Sequence, residues 1–361
     1  MNTSYNLICQ HQTNCVINEV RYGINANSSC QDRAKFGNGQ SWKRGISSLL
    51  GAILFWTTLT HSVWADEPKP VELVVLGIAQ DAGFPQAGCF KSCCKNAWLH
   101  PELRRQVSCL GLIDHHWGQC WIFDCSPDFP FQLQTLTQKL RSKTNRSRPI
   151  DGIFLTHAHI GHYAGLIHLG REVMGIRQVP TYVMPRMKSF LKRNGPWSQL
   201  VELENIRLID LVADEPISLN PRIQVKPFQV PHRDEFSETV GFEIIGPRKK
   251  VIYLPDIDKW SRWNESIEQM VESVDIAFLD GTFFENGEIP GRDMTTIPHP
   301  FVAESISRFS ALDSNQRKKV NFIHFNHTNP VLQPDHPARR QIKNAGMQIA
   351  TEGQTVNLSS R

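Results

Sequence analysis

The chain has 361 residues, of which 40% are hydrophobic and 20% charged. That composition excludes a disordered or low-complexity chain and is sufficient to bury a core. Net charge is +4 with histidine neutral, and no Lys/Arg block forms a basic stripe, so nucleic acid is not an expected partner.

Residues 1–42 are rich in Asn, Ser, Gln and Cys and show no steady hydrophobic period. Lys43 and Arg44 then precede an apolar run over 46–59, followed by Val63-Trp64-Ala65 and the polar Asp66-Glu67-Pro68-Lys69-Pro70. A basic start, an apolar middle and a small residue before a polar stretch form a signal-peptide pattern. It predicts an N-terminal extension over 1–65, a domain over 66–361, cleavage after Ala65 and export, to a periplasm. The run is shorter than the ~20 apolar residues of a membrane span. An uncleaved anchor, the one membrane association expected, is the competing reading, and a start placed too far upstream, which would leave the protein cytoplasmic, is another.

Cys9, Cys15 and Cys30 precede the apolar run. Cys89, Cys93, Cys94, Cys109, Cys120 and Cys125 follow it. In an exported chain six cysteines allow 15 pairings. Cys89-x3-Cys93-Cys94 also suits a structural zinc with one further ligand, so disulfide, zinc and free thiol all stand open.

From residue 71 onward, short apolar runs alternate with amphipathic stretches. Strands are predicted over 71–79, 107–114, 120–125, 151–156, 180–184, two within 217–230, 240–245, 251–254, 275–279 and 320–325, with a terminal hairpin over 347–358. Helices are predicted over 131–141, 164–174, 187–193, 267–274, 301–309 and 338–345. His115-His116-Trp117-Gly118 reads as a hairpin turn. No linker divides 66–361, so one α/β domain of layered sheet and helix is expected.

The strongest chemical feature is Leu155-Thr156-His157-Ala158-His159-Ile160-Gly161-His162-Tyr163-Ala164-Gly165-Leu166. Three histidines fall within six residues at the end of a predicted buried strand, where the sheet would hold them rigid. Neutral imidazole is the usual ligand for zinc or iron. His232, Asp256 and His327 each follow a later predicted strand. Singly each reads as a hydrogen-bonding loop residue; as an ordered set they extend the histidine cluster.

This His-x-His-x-x-His segment with its later His, Asp and His resembles the metallo-β-lactamase superfamily. Ala82-Gly83-Phe84-Pro85-Gln86 before the cysteine cluster, and Phe322-Ile323-His324-Phe325-Asn326-His327-Thr328-Asn329-Pro330, make it most similar to the coenzyme PQQ synthesis protein B branch. The resemblance implies an αββα sandwich with one or two zinc ions at its edge, iron or manganese being alternatives. It implies that His157, His159 and His232 bind a first metal, that Asp256 bridges, and that His162 and His327 bind a second. The superfamily usually has Asp where this chain has Gly161, which leaves the second position weaker, rebuilt with another ligand, or empty. Asp280 matches an acidic position that can orient a ligand histidine, and reads equally as a strand-end aspartate. His299, in Pro298-His299-Pro300, resembles a general acid of some phosphodiesterase branches. His324 is read as a structural residue inside a strand, and His115 and His116 as turn residues.

The function implied is metal-dependent hydrolysis of a small-molecule or peptide substrate by a metal-bound hydroxide, with Asp256 positioning it and His299 protonating the leaving group. A non-haem iron oxygenase of PQQ biosynthesis, or a non-catalytic carrier of a PQQ-related ligand, are the alternatives. The loop over 281–300 is expected to overhang the site. Nothing in the sequence specifies an oligomeric state.

Overall fold

The computed structural model describes residues 69–140 and 148–360. The signal-like segment, the cleavage expected after Ala65, and Cys9, Cys15 and Cys30 lie outside the described residues. Among the described residues no helix is long and apolar enough to cross a membrane.

The strands are β1 (Val71–Gly77), β2 (Cys109–Asp114), β3 (Gln119–Phe123), β4 (Gly152–Phe154), β5 (Val179–Val183), β6 (Ile206–Asp210), β7 (Ile217–Asn220), β8 (Ile223–Gln229), β9 (Val240–Ile245), β10 (Lys250–Leu254), β11 (Ile276–Asp280), β12 (Val320–Ile323), β13 (Gln348–Ile349) and β14 (Thr355–Asn357). They form two seven-stranded sheets, ordered β14-β1-β2-β3-β4-β5-β6 and β13-β12-β11-β10-β9-β8-β7. Each sheet changes character midway. β1 to β3 and β7 to β10 pair antiparallel, whereas β3 to β6 and β10 to β13 pair parallel. The two halves of the chain therefore repeat one layout, and helices cover the outer faces to give the α/β sandwich expected.

The unbroken apolar run of β1 follows from this layering, because a strand covered on both faces needs no polar alternation. Leu73 and Val75 join the core between the sheets, while Val74 and Leu76 pack into a second core beneath the helices Phe129–Lys139 and Pro185–Arg193. Aromatic rings fill the space between sheets: Phe123 stacks on Phe154 at 4.9 Å, and Phe154 meets Phe242 of the facing sheet at 5.5 Å. Offset and edge-to-face ring pairs of this kind add about 0.5–1.5 kcal/mol each beyond their buried area.

Three local expectations change. The helix expected over 164–174 is a four-residue helix, Ile160–Tyr163, followed by a 3-10 turn, Ala164–Leu169. Gly165 is the reason for the close approach there: a Cβ at that position would fall within 2.9 Å of the Cys125 carbonyl, to which Gly165 N–H donates at 2.8 Å. The terminal hairpin is also absent. β13 pairs parallel with β12, and β14 crosses to pair antiparallel with β1 of the other sheet. Finally β12 ends at Ile323, so His324 lies just past the strand rather than inside it.

Candidate metal centre

Nearly every chemically interesting side chain follows the carboxyl end of a strand. Asp81 lies in the turn after β1, Asp124 directly after β3, and His157 and His159 after β4; His162 is on the short helix that follows. His232 follows β8, Asp256 follows β10, Asp280 closes β11 and His324 follows β12. In parallel-stranded sheets the carboxyl ends open a crevice at one edge, which is where such folds gather ligand-binding groups. Asp124 and His324 both hold the left-handed backbone conformation, each with φ of 67°. Non-glycine residues hold that region at a cost of order 1–3 kcal/mol, and it concentrates at functional sites.

The side chains converge in two groups around Asp256, which is 2% exposed. One donor atom from each of His157, His159, His232 and Asp256 lies within 4.8 Å of the others, and the same holds for Asp81, His162 and His324. Asp256 stands between the groups. Its Oδ2 is 3.0 Å from His162 Nε2, 3.3 Å from His324 Nε2 and 3.5 Å from His157 Nε2, and its Oδ1 is 3.8 Å from His232 Nε2.

The back of each ring is anchored, which fixes which nitrogen faces inward. His162 Nδ1 is 2.8 Å from Asp124 Oδ2, and Asp124 also accepts from the Thr156 N–H and hydroxyl at 2.9 Å each. His157 Nδ1 lies 3.0 Å from Thr156 Oγ1, His324 Nδ1 lies 3.0 Å from Thr282 Oγ1, and His232 Nδ1 is 3.4 Å from Asp258 Oδ1. The inward Nε2 atoms of His162, His232 and His324 are buried and make no hydrogen bond. Three such atoms in one place carry a cost of about 1–3 kcal/mol each unless something satisfies them.

Charge is arranged accordingly. Burial, reinforced by the neighbouring His162, holds His157 well below the usual imidazole pKa, and burial brings His159 down to about 4. Burial likewise lowers His324. Burial thus favours the neutral form of these three rings, the form in which imidazole binds metal, whereas at His162 burial is outweighed by the Asp124 carboxylate, which raises the ring above its usual range. Burial opposes ionisation of Asp256, but the surrounding His324 and His232 outweigh it and hold the carboxyl well below its usual range.

A second dyad adjoins the centre. His299 Nδ1 is 2.8 Å from Asp280 Oδ2 and 3.5 Å from Asp256 Oδ1. Burial disfavours a charged His299, but the Asp280 carboxylate, with Asp256 and Asp81, overrides it and pushes the pKa up to about 9. Asp280 is itself fixed by the Ile257 N–H at 3.1 Å and the Thr282 N–H at 2.8 Å. Asp280 therefore orients His299, rather than one of the histidines assigned to the metal.

Comparisons with known proteins agree with this arrangement. The description "Beta-lactamase superfamily domain" matches residues 121–325, which carry the whole histidine set from His157 to His324. The chain belongs to the metallo-β-lactamase superfamily. Within it, the chain is 27% identical over 307 residues to coenzyme PQQ synthesis protein B of Pseudomonas putida, covering 79% of this chain and 99% of that one. It is 28% identical over 320 residues to the protein of the same name from Rhizobium meliloti, covering 81% and 100%. Among solved structures, Zn(2+)-bound PqqB from Methylobacterium extorquens aligns with a TM-score of 0.67 at 22% identity, over 79% of this chain and 99% of that one. A diphosphatase of the PhnP family aligns with a TM-score of 0.55 at 24% identity, over 80% and 97%.

Against the metallo-β-lactamase pattern, the main correction concerns His327. The resemblance assigns it to a second metal with His162, but it lies with the cysteines instead. His327 Nδ1 is 3.3 Å from Cys94 Sγ and 3.9 Å from Cys93 Sγ, and Cys89 Sγ is 3.6 Å from Cys93 Sγ. The reason is geometric: three residues past His324, the chain has turned away from the sheet edge through the turn before the 3-10 segment Pro330–Leu332. It is His324, read from sequence as structural, that faces Asp256. The sulfur separation of 3.6 Å is far beyond a disulfide's ~2.05 Å. Cys109 and Cys125 are buried thiols whose pKa values burial drives well above the ordinary range, which makes them unreactive.

The loop after β11 has a small core of its own. Between β11 and His299 it packs Phe283, Met294, Ile297 and Phe301 into a small cluster of its own. Glu288 ties it down by accepting from the Phe284 N–H at 2.7 Å and from the Thr328 hydroxyl. Burial pushes the Glu288 carboxyl up to about 7. The folded protein therefore keeps a proton that the unfolded chain releases near pH 4.5, so stability is lost as pH rises from there towards 7. Glu288→Gln should remove that loss, about 3 kcal/mol. The melting temperature of the variant relative to wild type should rise by several degrees between pH 5 and pH 8. An identical difference at both pH values would contradict this account of Glu288.

Proposed function

We propose that the protein is a metal-dependent hydrolase whose centre is held by His157, His159, His232 and Asp256, with His162 and His324 serving a second ion on the far side of Asp256. The observation that carries this reading is the convergence of buried, unbonded Nε2 atoms on His162, His232 and His324 around one buried carboxylate. Such a donor set of nitrogen and oxygen suits zinc, with iron or manganese as alternatives. A divalent ion held there would bring the pKa of a bound water down to about 7 and would polarise a substrate oxygen.

The chain's own residues supply the rest. Asp256 Oδ1, facing His232 and His299, is placed to orient the attacking water by a hydrogen bond. Asp280 commits His299 Nδ1, which leaves Nε2 to hand a proton to a leaving oxygen. Ile160 and Phe236, the chain neighbours of His159 and Glu235, are exposed, which suits a substrate with an apolar portion. An ester or phosphodiester whose alkoxide needs a proton fits this set. The similarity to PQQ synthesis protein B brings PQQ-related small molecules and peptides into the substrate range, and iron-dependent oxygen chemistry into the alternatives.

The test is a turnover screen of alkyl phosphodiesters, thioesters and lactones with the full chain, beside the His157→Ala/His159→Ala variant. Hydrolysis that disappears in the variant supports the reading. Oxygen uptake dependent on Fe(II), without hydrolysis, would move it to the oxygenase.

The cysteine cluster fits a separate structural zinc. With Zn–S of ~2.3 Å and Zn–N of ~2.0 Å, tetrahedral ligands stand about 3.5–3.8 Å apart, and the separations of 3.3, 3.6 and 3.9 Å in the cluster bracket that range. Cys94→Ser should lose about one zinc per chain while the histidine centre still fills. Loss of such a clamp, at about 3–5 kcal/mol, should lower the melting temperature by roughly 6–20 °C. An unchanged zinc count would refute this assignment.

A further inference from the structure

We propose that Asp81 supplies the second metal position with the carboxylate that residue 161 lacks, so that the site is completed from a different loop of the chain. The inference rests on the metal-centre reading above. In the superfamily pattern an aspartate before the third histidine of the motif reaches the second ion. Here that residue is glycine, and the space beside it is filled. A Cβ at position 161 would lie 2.5 Å from Asp81 Cα and closer still to Asp81 Oδ1. The Gly161 N–H donates to that same Oδ1 at 3.1 Å.

The carboxylate thus occupies the place towards which an aspartate at 161 would extend. Asp81 Oδ1 is 3.5 Å from His162 Nε2, and one donor atom from each of Asp81, His162 and His324 falls within 4.8 Å of the others. Both histidines are fully buried and both inward nitrogens lack a hydrogen bond. One carboxylate, two imidazoles and the bridging Asp256 make four donors, a complete set for a tetrahedral ion.

The loop that carries Asp81 is held for this purpose. The Gln80 N–H donates to the Phe325 carbonyl at 2.8 Å, and the Phe325 N–H donates to the Ile78 carbonyl at 2.8 Å, which pins the Asp81 loop to the His324 loop. The same two segments run on to the cysteines and to His327, whose cluster clamps them a second time. Glycine at 161 is then a requirement of the close approach of this loop. Any side chain there would push Asp81 away from His162.

The experiment uses the full chain, stripped of metal at the histidine centre and reloaded with Mn(II). Metal content is read by elemental analysis, and the coupling between ions by electron paramagnetic resonance. Wild type should give a spin-coupled Mn(II) pair. Asp81→Asn keeps size and shape and should give a single uncoupled Mn(II), with second-site affinity reduced at least ~100-fold, beyond the range set by losing an outer partner. Its zinc at the cysteine cluster and its circular dichroism should match wild type. Gly161→Ala removes no donor atom, yet should weaken the second site too by displacing the loop.

A coupled pair that survives Asp81→Asn overturns this proposal and leaves the hydrolase reading intact, whereas a wild type that binds one ion only overturns this proposal together with the second-ion part of that reading. A wild type that takes up no Mn(II) overturns both.

Discussion

Asp256→Asn is expected to empty the histidine centre of both ions and to lower turnover by about 10³-fold or more. The figure follows from losing several kcal/mol of Lewis-acid stabilisation at 1.36 kcal/mol per tenfold in rate. The position explains the size of the effect. Asp256 lies within 3.8 Å of a ring nitrogen on each of His157, His162, His232, His299 and His324. It is the one negative group common to both halves of the centre. An amide there carries no charge to bridge two cations. Elemental analysis and steady-state kinetics on the same preparation check the prediction. A variant that keeps full metal and full turnover would remove Asp256 from the mechanism.

His299→Gln should leave metal content unchanged and lower turnover by 10²–10⁴-fold on a substrate with a poor, alkoxide leaving group. On a substrate whose leaving group is an acidic phenol, the loss should be far smaller, because that oxygen departs without a proton. Asp280→Asn should reproduce the pattern in weaker form, since Asp280 acts through His299 at 2.8 Å and touches no metal-facing nitrogen of the first group. Equal losses on both classes of substrate would show that His299 does not protonate the leaving group.

How much of this was legible in the sequence depends on the range of the interactions involved. His157, His159 and His162 declared themselves because their spacing is local and a buried strand precedes them. His232 and Asp256 followed from the rule that ligands collect past strand ends. His324 and His327 were exchanged for a physical reason: the strand stops at Ile323, two residues earlier than its apolar pattern suggests, and a left-handed turn at His324 redirects the chain. Neither event leaves a mark in hydrophobic periodicity. Asp81 was missed because its relation to Gly161 is a packing contact across 80 positions. The glycine itself was the available signal, since a missing donor in an otherwise full set asks for a substitute. For Cys89, Cys93 and Cys94 the sequence left disulfide, zinc and free thiol open, and offered no means of naming a fourth ligand.

The fold was legible to a similar depth. Most strands and helices of the domain lie where their patterns place them. The exceptions include the helix expected over 164–174, the unexpected helices Ser92–Leu99 and Trp197–Glu202, β6, and β13 and β14, which read as a hairpin around Gly353 but belong to different sheets. Partner choice between distant strands is a property of topology, and a two-residue strand such as β13 carries too few side chains to specify it locally.

The most direct test of the central claim is elemental analysis of the full chain, purified without added metal, for zinc, iron and manganese. The account predicts about three ions per chain, two at the histidine centre and one at the cysteine cluster, with the first two lost in the His157→Ala/His159→Ala variant and the third retained. A chain whose metal is confined to the cysteine cluster, even after reconstitution, would contradict it.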